Sequence, residues 1–506
     1  MRMRSVLVPS LLIASIAAPT AALAQQTAAD PWTALTVQDV DAYCRDIRGI
    51  HPGMVDPYAP GFAERVEQAC STAVEQAEDA DSYYDWRDTM AELVGGFRDG
   101  HTNISFVLTP LTRRWPGFLI YGQGGRWVVR RPDHSNVAAP GDPPEGAVLL
   151  GCDGQEAEEF LRERLDPALA DWTKLPERIR LAYRAFVAMP DDGPPPTRTC
   201  RFELDGEVTE TELDWRSISY RDLVSIIPEY SRRGLRSAID AEFADDGHAW
   251  IRLANVSNEA ALKALEADLI ANQARLRAAP YIVFDLRGNA GGNSTWGVRF
   301  ASILWGEEAV EARRLASEST EPGEYGKFWR GSKRASAVVL AEAAEYATRG
   351  PDWVPFADYW RERGEELGAQ EEDGLVQDEC CQPQPAPTDV PTLHYDGRVF
   401  VLTDAAAYSS GVIVMNVLKF MGAIHVGEAS GQNEVWGESV GPLTLPSGLG
   451  TYRIPVSVIR QPRSSLGGLP PDIAWQGAMD DEEGIRAWIA GLAEQPDLGA
   501  ERAGSD

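Results

Sequence analysis

Asp285–Leu286–Arg287–Gly288–Asn289–Ala290–Gly291–Gly292 is the stretch whose reading decides this chain. It follows Tyr281–Ile282–Val283–Phe284, an apolar run that reads as a buried strand. It precedes Ser294–Thr295–Trp296–Gly297–Val298–Arg299–Phe300, which can begin a helix. Glycines between a strand end and a helix start let backbone N–H groups face outward. Such a turn holds an anion, either a phosphate or the oxyanion of an acyl-transfer transition state. No Gly-x-Gly-x-x-Gly lies here and no Gly-Lys-Ser/Thr follows, so phosphate is the weaker fit. An oxyanion requires a nucleophile and a base, and two other segments offer them.

The first is Ser409. The strand-like run Arg398–Val399–Phe400–Val401–Leu402–Thr403 leads through Asp404 to Tyr408, and Ser409–Ser410–Gly411 then opens an apolar helix, Val412–Met421. A serine in that place commonly caps the helix. The place also suits a nucleophile, because the helix dipole favours developing negative charge and the next N–H can donate to an oxyanion. Ser410 is the rival in the doublet. Serine needs a base near neutral pH. Of the six histidines, those at 51, 134, 248, 394 and 425 sit in strand interiors or ordinary turns, where structural roles are the default. His101 differs: Phe97–Arg98–Asp99–Gly100–His101–Thr102 is a polar break directly after a helix-like segment. Alone it too reads as structural; beside Ser409 and the glycine turn it reads as a base titrating near about pH 6.5–7.

The amino terminus carries two arginines, an apolar stretch Val6–Ala18 and a small-residue signature Ala22–Leu23–Ala24. It reads as a Sec-type signal peptide over residues 1–24, cut before Gln25, and implies a periplasmic or secreted product. A retained anchor is the alternative, disfavoured by the short apolar run. The formal charge of −30 argues against nucleic acid or anionic lipid as partner. Six cysteines in an oxidising compartment invite pairing. Cys44 with Cys70 and Cys152 with Cys200 are the expected pairs, although spacing alone does not fix connectivity; Cys380 and Cys381 are adjacent. Zinc is disfavoured because neither Cys-x-x-Cys nor His-x-x-x-His occurs.

Residues 25–112 read as a helical domain, with helices expected at 37–50, 61–78 and 82–96. Residues 113–217 read as a β-rich module with strands near 118–121, 127–130, 147–150, 201–204 and 209–215. Residues 218–490 alternate strand and helix: strands 249–253, 281–285, 398–403 and 423–427, helices 258–278, 294–304 and 409–421. This predicts an α/β core within a multidomain α+β chain. Residues 306–395 interrupt it as an insertion, with a helix expected at 335–348, and read either as a lid or as surface decoration. Residues 491–506 read as a flexible tail.

The residues together resemble the S41 family of serine peptidases, which includes carboxy-terminal processing peptidases and tricorn. Asp285–Leu286–Arg287–Gly288–Asn289–Ala290–Gly291–Gly292 is similar to the family's Asp-Leu-Arg-x-Asn-x-Gly-Gly segment. Val401–Asp404 through Ser409–Ser410–Gly411, then Val426–Gly427–Glu428–Ala429–Ser430–Gly431, resembles the nucleophile helix and the strand after it, and Leu469–Pro470–Pro471–Asp472–Ile473 resembles a terminal Pro-Asp-Ile segment. The resemblance implies a crotonase-like ββα catalytic core preceded by helical and PDZ-like domains. Processing-type members carry a lysine base in a Gly-Lys-Gly turn, where this chain has Ser430–Gly431–Gln432–Asn433–Glu434. Lys419 lies about 15 Å along the nucleophile's own helix and cannot substitute. Tricorn-like members take a histidine from a Ser-His pair after the amino-terminal helices, which carries over to His101. Gly100 replaces that serine, and Ser464 or Ser465 stands about where its glutamate partner falls. Asp99, Ser464 and Ser465 are therefore the candidates for an orienting third member.

The expectation is a serine endopeptidase acting on a peptide or protein substrate, with Ser409 as nucleophile, His101 as general base and the N–H groups of Gly292 and Ser410 as oxyanion hole. No metal or organic cofactor is implied. Two alternatives stay open at this point: a non-catalytic ligand-binding protein on the same scaffold, and an esterase or amidase for small molecules.

Overall fold

Tyr281–Asp285, the strand leading into the glycine turn, lies inside a six-stranded sheet whose order is Ile239–Phe243, Ala249–Leu253, Tyr281–Asp285, Arg398–Thr403, Ile424–Gly427, Ile473–Ala474. The first pairing is antiparallel and the remaining four are parallel. The computed structural model describes residues 30–108, 111–131, 141–165, 172, 174–189, 197–223, 226, 238–317, 326–378, 392–431, 436–460, 469–495 and 498. The leader, Cys380–Cys381, Ser464 and Ser465 and ten of the sixteen residues of the expected tail lie outside them, its first three residues closing a helix that ends at Ala493.

The central strands are mostly apolar because both sheet faces are covered. Ile282 and Phe284 point into one core with Leu262, Leu265, Trp296, Phe300, Met415 and Leu418. Val283, Phe400 and Leu402 point into the other, beneath Ile485, Ile489 and Leu492 of the helix Glu482–Ala493. Side chains that alternate between two buried faces leave few polar positions, which is the signature of a parallel sheet sandwiched by helices. The strands 249–253, 281–285 and 398–403 begin and end where the sequence places them. Asp285 pairs in register with Leu402, so the loops leaving these neighbouring parallel strands emerge side by side. Crevices at the carboxyl ends of parallel strands are where α/β sheets build sites.

A second core joins the amino-terminal helices to distant parts of the chain. The helices Pro31–Ile50, Phe62–Asp79 and Tyr83–Gly96 start at Asp30, Gly61 and Ser82, and the Asp30 and Ser82 side chains accept capping bonds. Cys44 and Cys70 join the first two helices. The segment read as an insertion contributes a strand and apolar side chains to this core. Its strand Gly326–Gly331 is paired on both edges, with Gly374–Gln377 and Ser457–Arg460. Trp329, Val339, Trp360 and Leu367 share one apolar cluster with Val40, Tyr43, Trp86, Tyr452 and Ile454. The segment therefore completes the core that the amino-terminal helices begin.

The β-rich module has the sheet order Leu119–Gln123, Arg126–Arg130, Val148–Cys152, Thr199–Leu204, Glu207–Glu212, all antiparallel. Phe118, Phe186 and Phe202 pack inside it, and Cys152 is joined to Cys200 across paired strands. Among the described residues no helix is long and apolar enough to cross a membrane.

Candidate active site

The glycine turn is fixed by buried polar bonds at every corner. Arg287 donates to both oxygens of Asp285, to the Met479 carbonyl (2.8 Å) and to Glu482 (2.7 Å), which ties the turn to the carboxy-terminal helix. Asp285 also accepts from Trp250 Nε1 at 3.1 Å. The two charged residues of the motif thus act as structural pins, each buried charge being paired. Asn289, wholly buried, donates from Nδ2 to the Leu253 carbonyl (2.7 Å) and accepts the Gly291 N–H at Oδ1 (2.9 Å). Its carbonyl accepts the Tyr408 N–H at 2.8 Å, and Gly288 N–H donates to Asp404 Oδ1 at 2.9 Å. These two bonds stitch the glycine turn to the turn that presents Ser409.

Ser409 adopts φ 52° and ψ −127°, a left-handed conformation costly for a residue with a Cβ. It stands at the cap position of the helix Ser410–Phe420, yet its hydroxyl makes no capping bond. The capping reading of this serine therefore fails. Ser410 separates from it clearly: its Oγ donates to the Gly292 carbonyl at 2.6 Å. Gly291 (φ 104°) must be glycine, because a Cβ would stand 2.9 Å from Ser409 Cβ and 3.0 Å from Ser410 N.

Gly292 forms a single parallel bridge with Val256, in which Val256 N–H donates to the Gly291 carbonyl (3.1 Å) and Asn293 N–H to the Val256 carbonyl (2.8 Å). In such a bridge the middle residue's own N–H and C=O face away from the partner. The Gly292 carbonyl receives the Ser410 hydroxyl.

His101 comes from the other core. The strand Asn103–Phe106 that follows it pairs with Gly450–Pro455, which anchors the turn 98–102 at the edge of the crevice. His101 Nε2 lies 3.5 Å from Ser409 Oγ, and its ring centroid is 5.4 Å from that of Tyr408. Catalytic contacts of this length commonly tighten only when substrate binds. Burial pulls the His101 pKa below its ordinary value; Asp99 opposes this, while His51 and Lys174 reinforce it. The expected midpoint near 6.5–7 is thus shifted downward.

Asp99 does not stand apart as a relay. Its Oδ1 accepts the His101 backbone N–H at 2.9 Å, and its Oδ2 accepts the Thr102 N–H at 3.1 Å, the Thr102 hydroxyl and His51 Nε2 at 3.1 Å. By sequence His51 reads as an ordinary turn residue, and nothing local in His51–Pro52–Gly53 marks it otherwise. Its importance arises from Asp99, 48 positions away. Lys419, rejected as a base, pairs with Asp472 at 3.7 Å. Among the described residues no cluster of three or more His, Cys, Asp or Glu side chains could hold a metal ion.

Residues 248–474 match the model of peptidase family S41. Over that stretch the chain is similar to the S41 family of peptidases. Among solved structures, mature CPAF is 14% identical and covers 94% of this chain and 99% of its own, with a TM-score of 0.58. A CPAF mutant (13% identity, 91% and 97% covered, TM-score 0.59) and a complex of mature CPAF with lactacystin (14%, 91% and 98%, TM-score 0.56) are similar to this chain to the same degree. At that identity they show a shared fold. No curated protein matches the chain.

Proposed function

We propose that the chain is an exported serine endopeptidase. Ser409 Oγ attacks the scissile carbonyl while His101 Nε2 takes its proton and returns it to the leaving amine. The N–H groups of Gly292 and Ser410 receive the oxyanion. The observation that carries this reading is the approach of His101 Nε2 to 3.5 Å from a serine hydroxyl that occupies a helix cap without capping it. Its strained backbone supports the same reading, since strain of this kind is kept where it serves chemistry. The oxyanion assignment is supported by the Val256 bridge, whose two bonds use the Gly291 carbonyl and the Asn293 N–H rather than the N–H of Gly292. Export is supported by the leader-like sequence and by two disulfides.

A fluorophosphonate probe tests the proposal. Wild-type protein becomes labelled at Ser409, and both Ser409→Ala and His101→Ala lose the label. A wild-type protein that stays unlabelled while binding peptides is a carrier on this scaffold. One that turns over simple esters but no peptide is an esterase.

A further inference from the structure

A buried histidine with no part in the mechanism above lies directly behind the base. His51 is fully buried, stacked on Phe62 (centroids 4.1 Å, interplanar 15°) and against the edge-on ring of Trp436 (4.6 Å, 74°). Gly53 N–H donates to its Nδ1 at 2.9 Å. A neutral ring whose Nδ1 accepts must carry its proton on Nε2, and that nitrogen faces Asp99 Oδ2 at 3.1 Å. Asp99 is itself buried and sits two residues before His101, whose backbone it holds. The chain of contacts runs Gly53, His51, Asp99, His101, Ser409.

We propose that His51 is a positioning residue for His101: its Nε2–H fixes the Asp99 carboxylate, and Asp99 in turn fixes the turn that aims the His101 ring at Ser409. The inference rests on the Ser/His reading of the site. A carboxylate with so little exposure must have its lone pairs satisfied, and His51 supplies a donor from outside the turn. Asp99 contributes in two ways. It sets the backbone from which His101 projects, and its negative charge favours the imidazolium that forms when Ser409 loses its proton. A neutral His51 serves better than an arginine or lysine would, because it donates without cancelling that charge. Burial lowers the His51 pKa, and Arg330 and Arg65 act in the same direction against the pull of Asp99. The other charged or titratable groups facing the cluster are Lys174, Tyr43 and Tyr408.

The test compares His51→Gln, whose amide can present an N–H near the Nε2 position, with His51→Leu, which cannot. The readout is the rate of labelling by a fluorophosphonate probe between about pH 5 and 9, on protein whose folding is verified by near-ultraviolet circular dichroism. His51→Leu should label about ten- to a hundredfold more slowly, and His51→Gln within about threefold of wild type, as expected for a lost and a regained alignment of the base. Asp99→Asn should move the midpoint of the rate profile to lower pH, because removing a negative charge makes the His101 imidazolium less favourable. His51→Leu labelling at the wild-type rate, His51→Gln as slow as His51→Leu, or an unmoved midpoint in Asp99→Asn would each overturn the proposal. Should His51→Leu not fold, the other two readings still decide. Full labelling of His101→Ala would instead sink the Ser/His reading itself, whereas a silent His101→Ala beside an unimpaired His51→Leu removes only the role of His51.

Discussion

The two halves of the site are built differently. The half that carries Ser409 hangs from the carboxyl ends of two adjacent parallel strands, and main-chain bonds close it (Tyr408 N–H to the Asn289 carbonyl, Gly411 N–H to the Tyr408 carbonyl, Val256 to the glycine turn) over the buried side-chain pins Asp285, Arg287, Asn289 and Asp404. The half that carries His101 belongs to a separate core, and side chains hold it: Asp99, Thr102 and His51. The two meet across 308 positions of sequence. Backbone-built geometry tolerates few substitutions because the same atoms fold the sheet and shape the site. Geometry built from side chains can be weakened in steps. Mutations on the Ser409 side should therefore remove function outright, while those on the His101 side should grade it.

The sharpest contrast is within the serine doublet. Ser409→Ala should lower turnover on the order of a millionfold, as loss of a catalytic serine does. Its folding stability should stay within about 0.5 kcal/mol, because no capping bond is lost. Ser410→Ala should keep its reactive serine but lose about 0.5–1.5 kcal/mol with the bond to the Gly292 carbonyl. Probe labelling with parallel thermal denaturation checks both. A dead Ser410→Ala beside a live Ser409→Ala would mean that the register of the nucleophile is off by one.

On the other half, His101→Ala should reduce turnover by roughly a thousandfold. The base works in its neutral form, so kcat/KM should rise with pH. Burial has lowered the pKa, so the midpoint should fall below the free imidazole value of about 6.5. A rate that climbs only in the alkaline range would point to an amine base.

How much of this contrast the sequence reveals follows from the same division. Tyr281–Asp285 and Arg398–Thr403 are legible to the residue because burial on both faces demands unbroken apolar runs. The Ser409 half inherits that clarity. The strand Gly326–Gly331 is equally buried but escapes detection, since Lys327 and Arg330 interrupt the pattern. Their charges are met by Glu438 and Asp378 and by Asp373, all from far along the chain. The same applies to His51. Its role depends on a fold that brings the end of one helix to the turn after another, and no local spacing records that.

The glycine turn offers the next test of the backbone-built half. Gly291→Ala should press on Ser409 Cβ at 2.9 Å, and Gly292→Val should strike the Val256 carbonyl at 2.5 Å and disturb the bridge between Gly292 and Val256. Each should cost about a hundred- to a thousandfold in turnover, the range for loss of one oxyanion donor. Gly292→Val should also lower the melting temperature, because the obstructing atoms are backbone. Ala290→Val, at an exposed position of the same turn, should be mild. Loss of activity in Ala290→Val equal to that in Gly292→Val would move the oxyanion site elsewhere in the turn.

The smallest effect belongs to Lys419, and it tests whether the base truly comes from the second core. A lysine base would keep the whole catalytic pair on the sheet half and remove the difference between the two halves. Lys419 instead faces Asp472 at 3.7 Å, with both side chains about one-fifth exposed. Ion pairs that water can reach contribute about 0–1 kcal/mol. Lys419→Met should therefore change stability by no more than that and leave both turnover and the midpoint of the pH profile where they were. Steady-state kinetics across the pH range measures this directly. A Lys419→Met protein that loses activity while remaining folded would place the base on the nucleophile's own helix, and His101 would then be a neighbour of the site rather than its working half.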